Sequence, residues 1–252
     1  MIILEVGINH FGSTKDANDY LNFFLKSEYK FLTFQIQTKK FNEKNLKKID
    51  FELPVSFYKK ALNKAKSKNK KIGLAVCCHK SFEKYQNIKF DFYKLLSIAI
   101  NNNKLIKILT KLKKKVFISL GKGTNTNIRN CIKKFSKNSN LNLIYTSMSY
   151  DSRDLNLNRI QNLKKKFRLP VGYGHHYKNE IPIYLSNLFG SQFLFIYIKK
   201  KQKKGRYYPD DLHAIELDKL NTLKDRLREI DTISTNKKVN TKIKLNVKKI
   251  SF

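Results

Sequence analysis

Two charged residues stand where charge is costly. Glu5 lies in the apolar run MIILEV and Lys94 in the run FDFYKLL, and both runs read as strands covered on both faces. An isolated carboxylate or ammonium in such a strand is too expensive to leave unpaired, so Lys94 is expected to meet an anion and Glu5 to be paired or reactive. Polar groups follow other apolar runs in the same way: Asn9 and His10, Gln35 and Gln37, Cys77 and His79, Ser97, Ser119, Ser147 and Tyr150, His175 and His176, and Tyr197. Hydroxyls and ammonium groups suit phosphate or carboxylate, and imidazole suits a divalent metal, so the set points to an anionic ligand with or without an ion. Neighbours on a strand point to opposite sides, so only one of His175 and His176 is expected to face such a site.

These residues are useful only if the fold brings them together. Strand-like runs are read at Ile2 to Ile8, Tyr29 to Ile36, Lys71 to Cys77, Phe90 to Leu95, Val116 to Leu120, Leu141 to Thr146, Pro170 to Tyr173 and Gln192 to Ile198. Amphipathic helical stretches fall between them at Lys15 to Leu25, Val55 to Lys66, Lys104 to Leu112, Thr126 to Phe135, Asn158 to Phe167, Ile181 to Leu188 and Ile215 to Ile230, with one stunted helix between Cys78 and Ile88. Such alternation implies parallel strands with right-handed crossovers. Eight of them in a chain of 252 residues predict a TIM-type (β/α)8 barrel, whose chemistry sits at the carboxyl ends of its strands. An open doubly wound sheet is the competing architecture, but GKGTN has two glycines of a phosphate loop and no third, and no Walker pattern occurs.

The formal net charge of +34 suggests a nucleic-acid or anionic-surface binder. Only seven of the 53 basic residues are Arg, the residue whose planar fork suits phosphate and guanine. The Lys residues are spread through every segment among much Asn and Ile, the pattern of A/T-rich codons on a tolerant surface. Cys77, Cys78 and Cys131 show no metal-ligand spacing and imply a reducing compartment. No apolar run reaches the roughly 18 residues that span a bilayer, and no signal peptide is legible, so the expected location is the cytoplasm. The run KKKQKKGRYY, Lys199 to Tyr208, reads as a solvated loop, and the alternating TKIKLNVKKI of the tail as a strand-like piece.

EVGINHFGS, FDFYKLLS with NNNKLIK after it, VFISLGKGT, LPVGYGHH and YPDDLHAIELDKL together resemble the barrel domain of the sialic acid synthase family. That family reads approximately E-I-G-I-N-H-N-G, K-I-x-S-x-E with N-x-P-L-I, I-L-S-T-G-M, G-x-S-D-H, and G-P-D-H with S-L-E-P-D-E-L. The resemblance implies a condensation of phosphoenolpyruvate with an open-chain N-acyl hexosamine, in which a manganese- or magnesium-type ion polarises the aldehyde. By the same resemblance Glu5 and Asp210 are the catalytic residues, Asp210 on the sugar side. Lys94, Ser97 and Ser119 bind phosphoenolpyruvate, Tyr150 and Gln35 bind substrate, and His176 ligates the metal. Several family positions carry other residues: Thr33 for a Lys, Val76 for a Thr, Ala99 for a Glu, Gly174 for a Ser and Tyr197 for the second metal His. A neutral phenol is a poor ligand for a hard divalent ion. The expected organisation is a barrel over residues 1–230 and a tail over 231–252 resembling the linker to an antifreeze-like domain, with a homodimer or a separate lid subunit as partner.

Three functions stay open on these grounds: a synthase in which His175, His213 or Asp210 compensates for Tyr197; a degenerate barrel binding a sugar, a phosphate or a partner without turnover; and a basic nucleic-acid binder.

Overall fold

The computed structural model describes residues 1–37, 51–135, 140–202 and 207–235. Eight parallel strands form its frame: β1 (Ile2–Gly7), β2 (Phe31–Gln35), β3 (Lys71–Val76), β4 (Phe92–Leu95), β5 (Lys115–Ser119), β6 (Leu141–Tyr145), β7 (Val171–Gly174) and β8 (Leu194–Lys199). Each pairs with the next, and β1 pairs with β8 as well, so the sheet closes into the expected (β/α)8 barrel. Around it lie α1 (Thr14–Lys26), α2 (Val55–Lys66), α3 (His79–Glu83), α4 (Asn103–Lys111), α5 (Asn125–Lys134), α6 (Asn158–Phe167), α7 (Ile181–Leu188) and α8 (Leu220–Thr235).

Local chemistry sets the helix ends. Ser13 caps α1, its hydroxyl accepting from Asp16 N at 3.1 Å, and the buried face of α1 is Ala17, Tyr20, Leu21 and Phe24. Beyond its far end the buried Lys70 ammonium donates to the carbonyls of Phe24 at 2.6 Å and Tyr29 at 2.8 Å, tying the last turn of α1 to the segment that leads into β2. Asn102 caps α4 through Leu105 N, and Thr124 caps α5 through Asn127 N.

Inside the barrel the layers change character from bottom to top. Ile3, Phe92, Phe117, Ile144, Phe193 and Phe195 form a dry cluster, with Phe117 edge-on to Phe92, Phe193 and Phe195 at 5.7, 4.9 and 5.1 Å between centroids. Two glycines leave room for these rings. A methyl on Gly73 would sit 2.2 Å from the Phe92 ring, and one on Gly172 2.2 Å from that of Phe193. Two residues further along the same strands, where side chains again face inward, the series becomes Glu5, Lys94 and Tyr197. Polar chemistry therefore begins one layer above the phenylalanines, at the carboxyl ends.

Two expectations are corrected. The stretch from Ile215 is not helical at its start: Ile215–Glu216 forms a short strand, β9, paired with Ile198 and Lys199 of β8, followed by a 3-10 turn over Leu217–Lys219 and then α8. The backbone of β8 continues past the barrel rim and offers β9 an edge, which outweighs the helical period of the sequence. Lys199 and Lys200 are likewise not free members of a solvated loop. Lys199 ends β8 and pairs with Asp211 at 2.7 Å, while Lys200 joins Asp16 and, at 2.7 Å, Asp19 on α1. Residues 203–206 of that run, and the strand-like TKIKLNVKKI of the tail, lie outside the described residues. Helix α8 runs to Thr235, whereas the helical stretch read from the sequence ends at Ile230. No helix among the described residues is long and apolar enough to cross a membrane.

Candidate active site

Glu5 is fully buried, and its register partners are Thr33 on β2 and Tyr197 on β8. Neither neighbour carries charge at neutral pH, so the carboxylate takes its counter-ion from across the barrel: Lys94 Nζ donates to Glu5 Oε2. The expected anion for Lys94 is thus another side chain of the same protein. The Lys94 ammonium also lies over the rings of Phe195 and Tyr197, 4.9 and 5.1 Å from their centroids, a cation–π contact that strengthens where water is excluded.

Just after Glu5 the strand bulges, and Gly7 adopts a φ of +55°. A side chain there would collide with Asp210 Oδ2 at 2.5 Å and with the Tyr197 ring at 2.8 Å. Asn9 fixes the loop that delivers Asp210: its amide donates to Ile198 O at 3.0 Å and its oxygen accepts from Asp210 N at 3.1 Å. Burial, and next the nearby charge of Glu5, raise the Asp210 carboxyl to about 7 against the opposing pull of Lys94. Its Oδ2 has no hydrogen-bond partner among the described residues.

On the other side of Tyr197 three aromatic rings form a box. His176 and His213 stack with centroids 4.2 Å apart and planes 17° from parallel. Tyr197 stands nearly perpendicular to both, at 5.0 and 4.8 Å. Tyr150 closes the box, its hydroxyl 3.0 Å from His213 Nδ1, and His213 Nε2 looks toward Asp210 Oδ1 at 3.7 Å. Burial and then the Lys94 charge hold His213 down at about 4, and burial with the neighbouring His213 and Lys94 keeps His176 well below the usual range. Tyr197 is pushed well up, first by burial and then by Glu5 and Asp210. As the alternation predicted, His175 turns the other way, packing on Tyr173 at 6.0 Å.

Of the sequence-derived residues, Glu5, Lys94, Asp210, Tyr150 and His176 fall in this one cluster. Ser97 and Ser119 lie at the carboxyl ends of the adjacent strands β4 and β5, nearly buried, and their hydroxyls make no hydrogen bond among the described residues. Gln35 ends β2, and its amide donates to Gln37 at 3.0 Å. Gly7 and Asn9 position the site through backbone space and bridging hydrogen bonds. The Asn-His after the first strand marked Asn9 as polar, but nothing in the sequence announced its reach to residue 210.

A closed parallel barrel with a buried ion pair, a raised carboxyl and a histidine pair at the carboxyl ends of its strands defines a (β/α)8 barrel whose polar cluster lies at the end where such barrels carry their sites. The NeuB family model matches residues 21–239, and the chain belongs to the NeuB family. It is similar to N,N'-diacetyllegionaminic acid synthase of Campylobacter jejuni, at 25% identity over 201 residues. That match covers 70% of this chain and 60% of the relative's length. Among solved structures, the N-acetylneuraminic acid (sialic acid) synthetase of Leptospira borgpetersenii, determined with citrate, superposes with a TM-score of 0.83 at 20% identity, over 94% of this chain and 86% of that one. The spore coat polysaccharide biosynthesis protein SpsE of Bacillus subtilis gives 0.79 at 18% identity, over 94% and 69%. At these identities the structural likeness establishes the fold.

The divalent metal implied by the sialic acid synthase resemblance fits this donor set badly. Among the described residues no group of three His, Cys, Asp or Glu could hold an ion. The two histidine rings stack nearly parallel, with centroids 4.2 Å apart, so in-plane lone pairs on both cannot meet at one ion about 2.1 Å from each nitrogen.

Proposed function

We propose that the chain is a phosphoenolpyruvate-dependent synthase of the NeuB type, joining phosphoenolpyruvate to an acylamino sugar in carbohydrate biosynthesis. In that reaction the methylene carbon of phosphoenolpyruvate bonds to the aldehyde carbon of the sugar, water adds to the cation formed at C2, and phosphate leaves. Of the two protons of the water, one ends on the former aldehyde oxygen and the other leaves with the phosphate as the C2 carbonyl forms, so no outside reagent is needed. Lys94, Ser97 and Ser119 would hold the phosphate and carboxylate end, with Gln35 at the rim of β2. Glu5 would face the cationic carbon, and Asp210, with a carboxyl near 7, is suited to exchange a proton at neutral pH. Tyr150 and His176 would contact the sugar. The observation that carries the reading is the buried Glu5–Lys94 pair beside Asp210, in a chain of this family.

A homodimer or a separate lid subunit belongs to the same reading, as does a cytoplasmic setting, which suits the free thiols of Cys77, Cys78 and Cys131. One observation favours a second reading, ligand binding without turnover. Thr33 and Tyr197 flank Glu5 where the family carries a Lys and a His, and the Lys94 charge is already neutralised. Incubation with phosphoenolpyruvate and N-acetylmannosamine or a diacetamido sugar, followed by release of inorganic phosphate, tests the first reading. No phosphate release, together with a rise in melting temperature with phosphoenolpyruvate alone, would overturn it in favour of the second.

A further inference from the structure

Tyr197 lies two residues before the end of β8, almost fully buried and in register with Glu5, and its ring stands edge-to-face against both His176 and His213. The space a second imidazole ligand would occupy is therefore filled by a phenol, wedged against two imidazoles and hydrogen-bonded to the Glu5 side chain. No neighbour compensates. His213 shares its Nδ1 hydrogen bond with the Tyr150 hydroxyl and lies parallel to His176 instead of converging with it. His175 faces away, and the free oxygen of Asp210 abuts Gly7.

We infer that this site works without a divalent metal, the hydroxyl of Tyr197 turning from Glu5 to serve as a neutral hydrogen-bond donor to the acceptor aldehyde and His176 serving as an aromatic wall. The first half rests on the geometry alone, and the second rests on the synthase reading above. A phenol that only donates a hydrogen bond begins and ends the cycle protonated. The proton that the former aldehyde oxygen keeps is the one released by the water adding at C2, so the balance of the reaction is unchanged. With a neutral donor instead of an ion, polarisation depends on placement, which the edge-to-face contacts supply.

Titration of the purified protein with Mn2+ alone, followed by the loss of the free-ion paramagnetic resonance signal, tests the metal half without reference to turnover. The wild-type protein is expected to leave the signal of submillimolar Mn2+ unchanged. Tyr197→His, which restores a second imidazole beside His176, is expected to tighten Mn2+ binding by at least about tenfold, the scale on which metal-site partners act. Phosphate release by the wild-type protein is expected to persist in excess EDTA, and Tyr197→Phe to lower kcat by about tenfold or more with little change in KM for phosphoenolpyruvate. Stoichiometric Mn2+ binding by the wild-type protein that is lost in His176→Ala, or turnover abolished by EDTA and restored by Mn2+, would overturn the inference. Unchanged kcat in Tyr197→Phe would remove the donor role. Should neither the EDTA-treated nor the Mn2+-loaded protein release phosphate, the synthase reading falls, and with it the donor role, while the Mn2+ titration of the wild type still decides the metal half. That titration needs no variant to fold.

Discussion

Replacing Lys94 by Met strands the Glu5 carboxylate at a place where no water reaches it. The carboxylate is 0% exposed and its ammonium partner 4%, so solvent screening does little to soften the loss. Removing one member of a buried ion pair costs about 3 to 5 kcal/mol. For a domain of this size each kcal/mol shifts the melting temperature by ~2–4 °C, so a drop of about 6–20 °C is expected. Glu5→Gln should cost a similar amount, because it removes the carboxylate that pairs with the Lys94 ammonium between two aromatic rings. The double variant Glu5→Gln, Lys94→Met buries no net charge and is expected to lose at least about 2 kcal/mol less than the sum of the two single changes. Urea unfolding of the four proteins at pH 7 measures the cycle. Additivity within about 0.5 kcal/mol would refute the claim that the two charges depend on each other.

Three further outcomes are expected. Gly73→Ala places a methyl against the Phe92 ring, which is held by Phe31 and Phe117, and the overpacking should cost ~1–3 kcal/mol in chemical denaturation. Lys70→Met removes the donor to the carbonyls of Phe24 and Tyr29; a loss of about 1–3 kcal/mol is expected, with faster amide exchange at the end of α1 as the local readout. His10, His175 and His213 are held down by burial to about 4, 3 and 4, below the unfolded value of 6.5. Their contribution is complete above pH 6.5 and is lost as pH falls toward 4. Asp210 runs the other way: its folded value near 7 exceeds 3.8, so its share is present at low pH and fades as pH rises through 7. Melting temperature should rise from pH 4 to about 6.5 and level off near neutrality, with Asp210 opposing the rise over that window; Asp210→Asn should therefore steepen it, and an unchanged acid limb would count against the buried carboxyl.

The barrel was legible because its signal is repeated. Each strand carries its own apolar run, and the closure of eight is a count that errors of one or two residues at an end do not disturb. The start of α8 was not legible, since the pairing of Ile215 with Ile198 depends on where β8 ends in space. At the site, burial cost marked Glu5 and Lys94 separately as charges needing partners, but their pairing crosses the barrel between positions 89 residues apart. The stacking of His176 on His213 was invisible for the same reason, and alternation along a strand showed only that His175 and His176 must part.

The seam between β1 and β8 has a consequence for how the molecule comes to exist. As a nascent chain emerges, Ile2–Gly7 can find β2 early, yet its other edge waits for Leu194–Lys199, and the loop carrying Asp210 comes later still. Until then the first strand exposes unpaired amides and Glu5 lacks half its enclosure. The final ordering event on the folding path should therefore be the joining of the two extremities of the barrel, a contact spanning 189 residues between Asn9 and Ile198, and a ribosomal pause before that point would leave a sticky, half-circular intermediate.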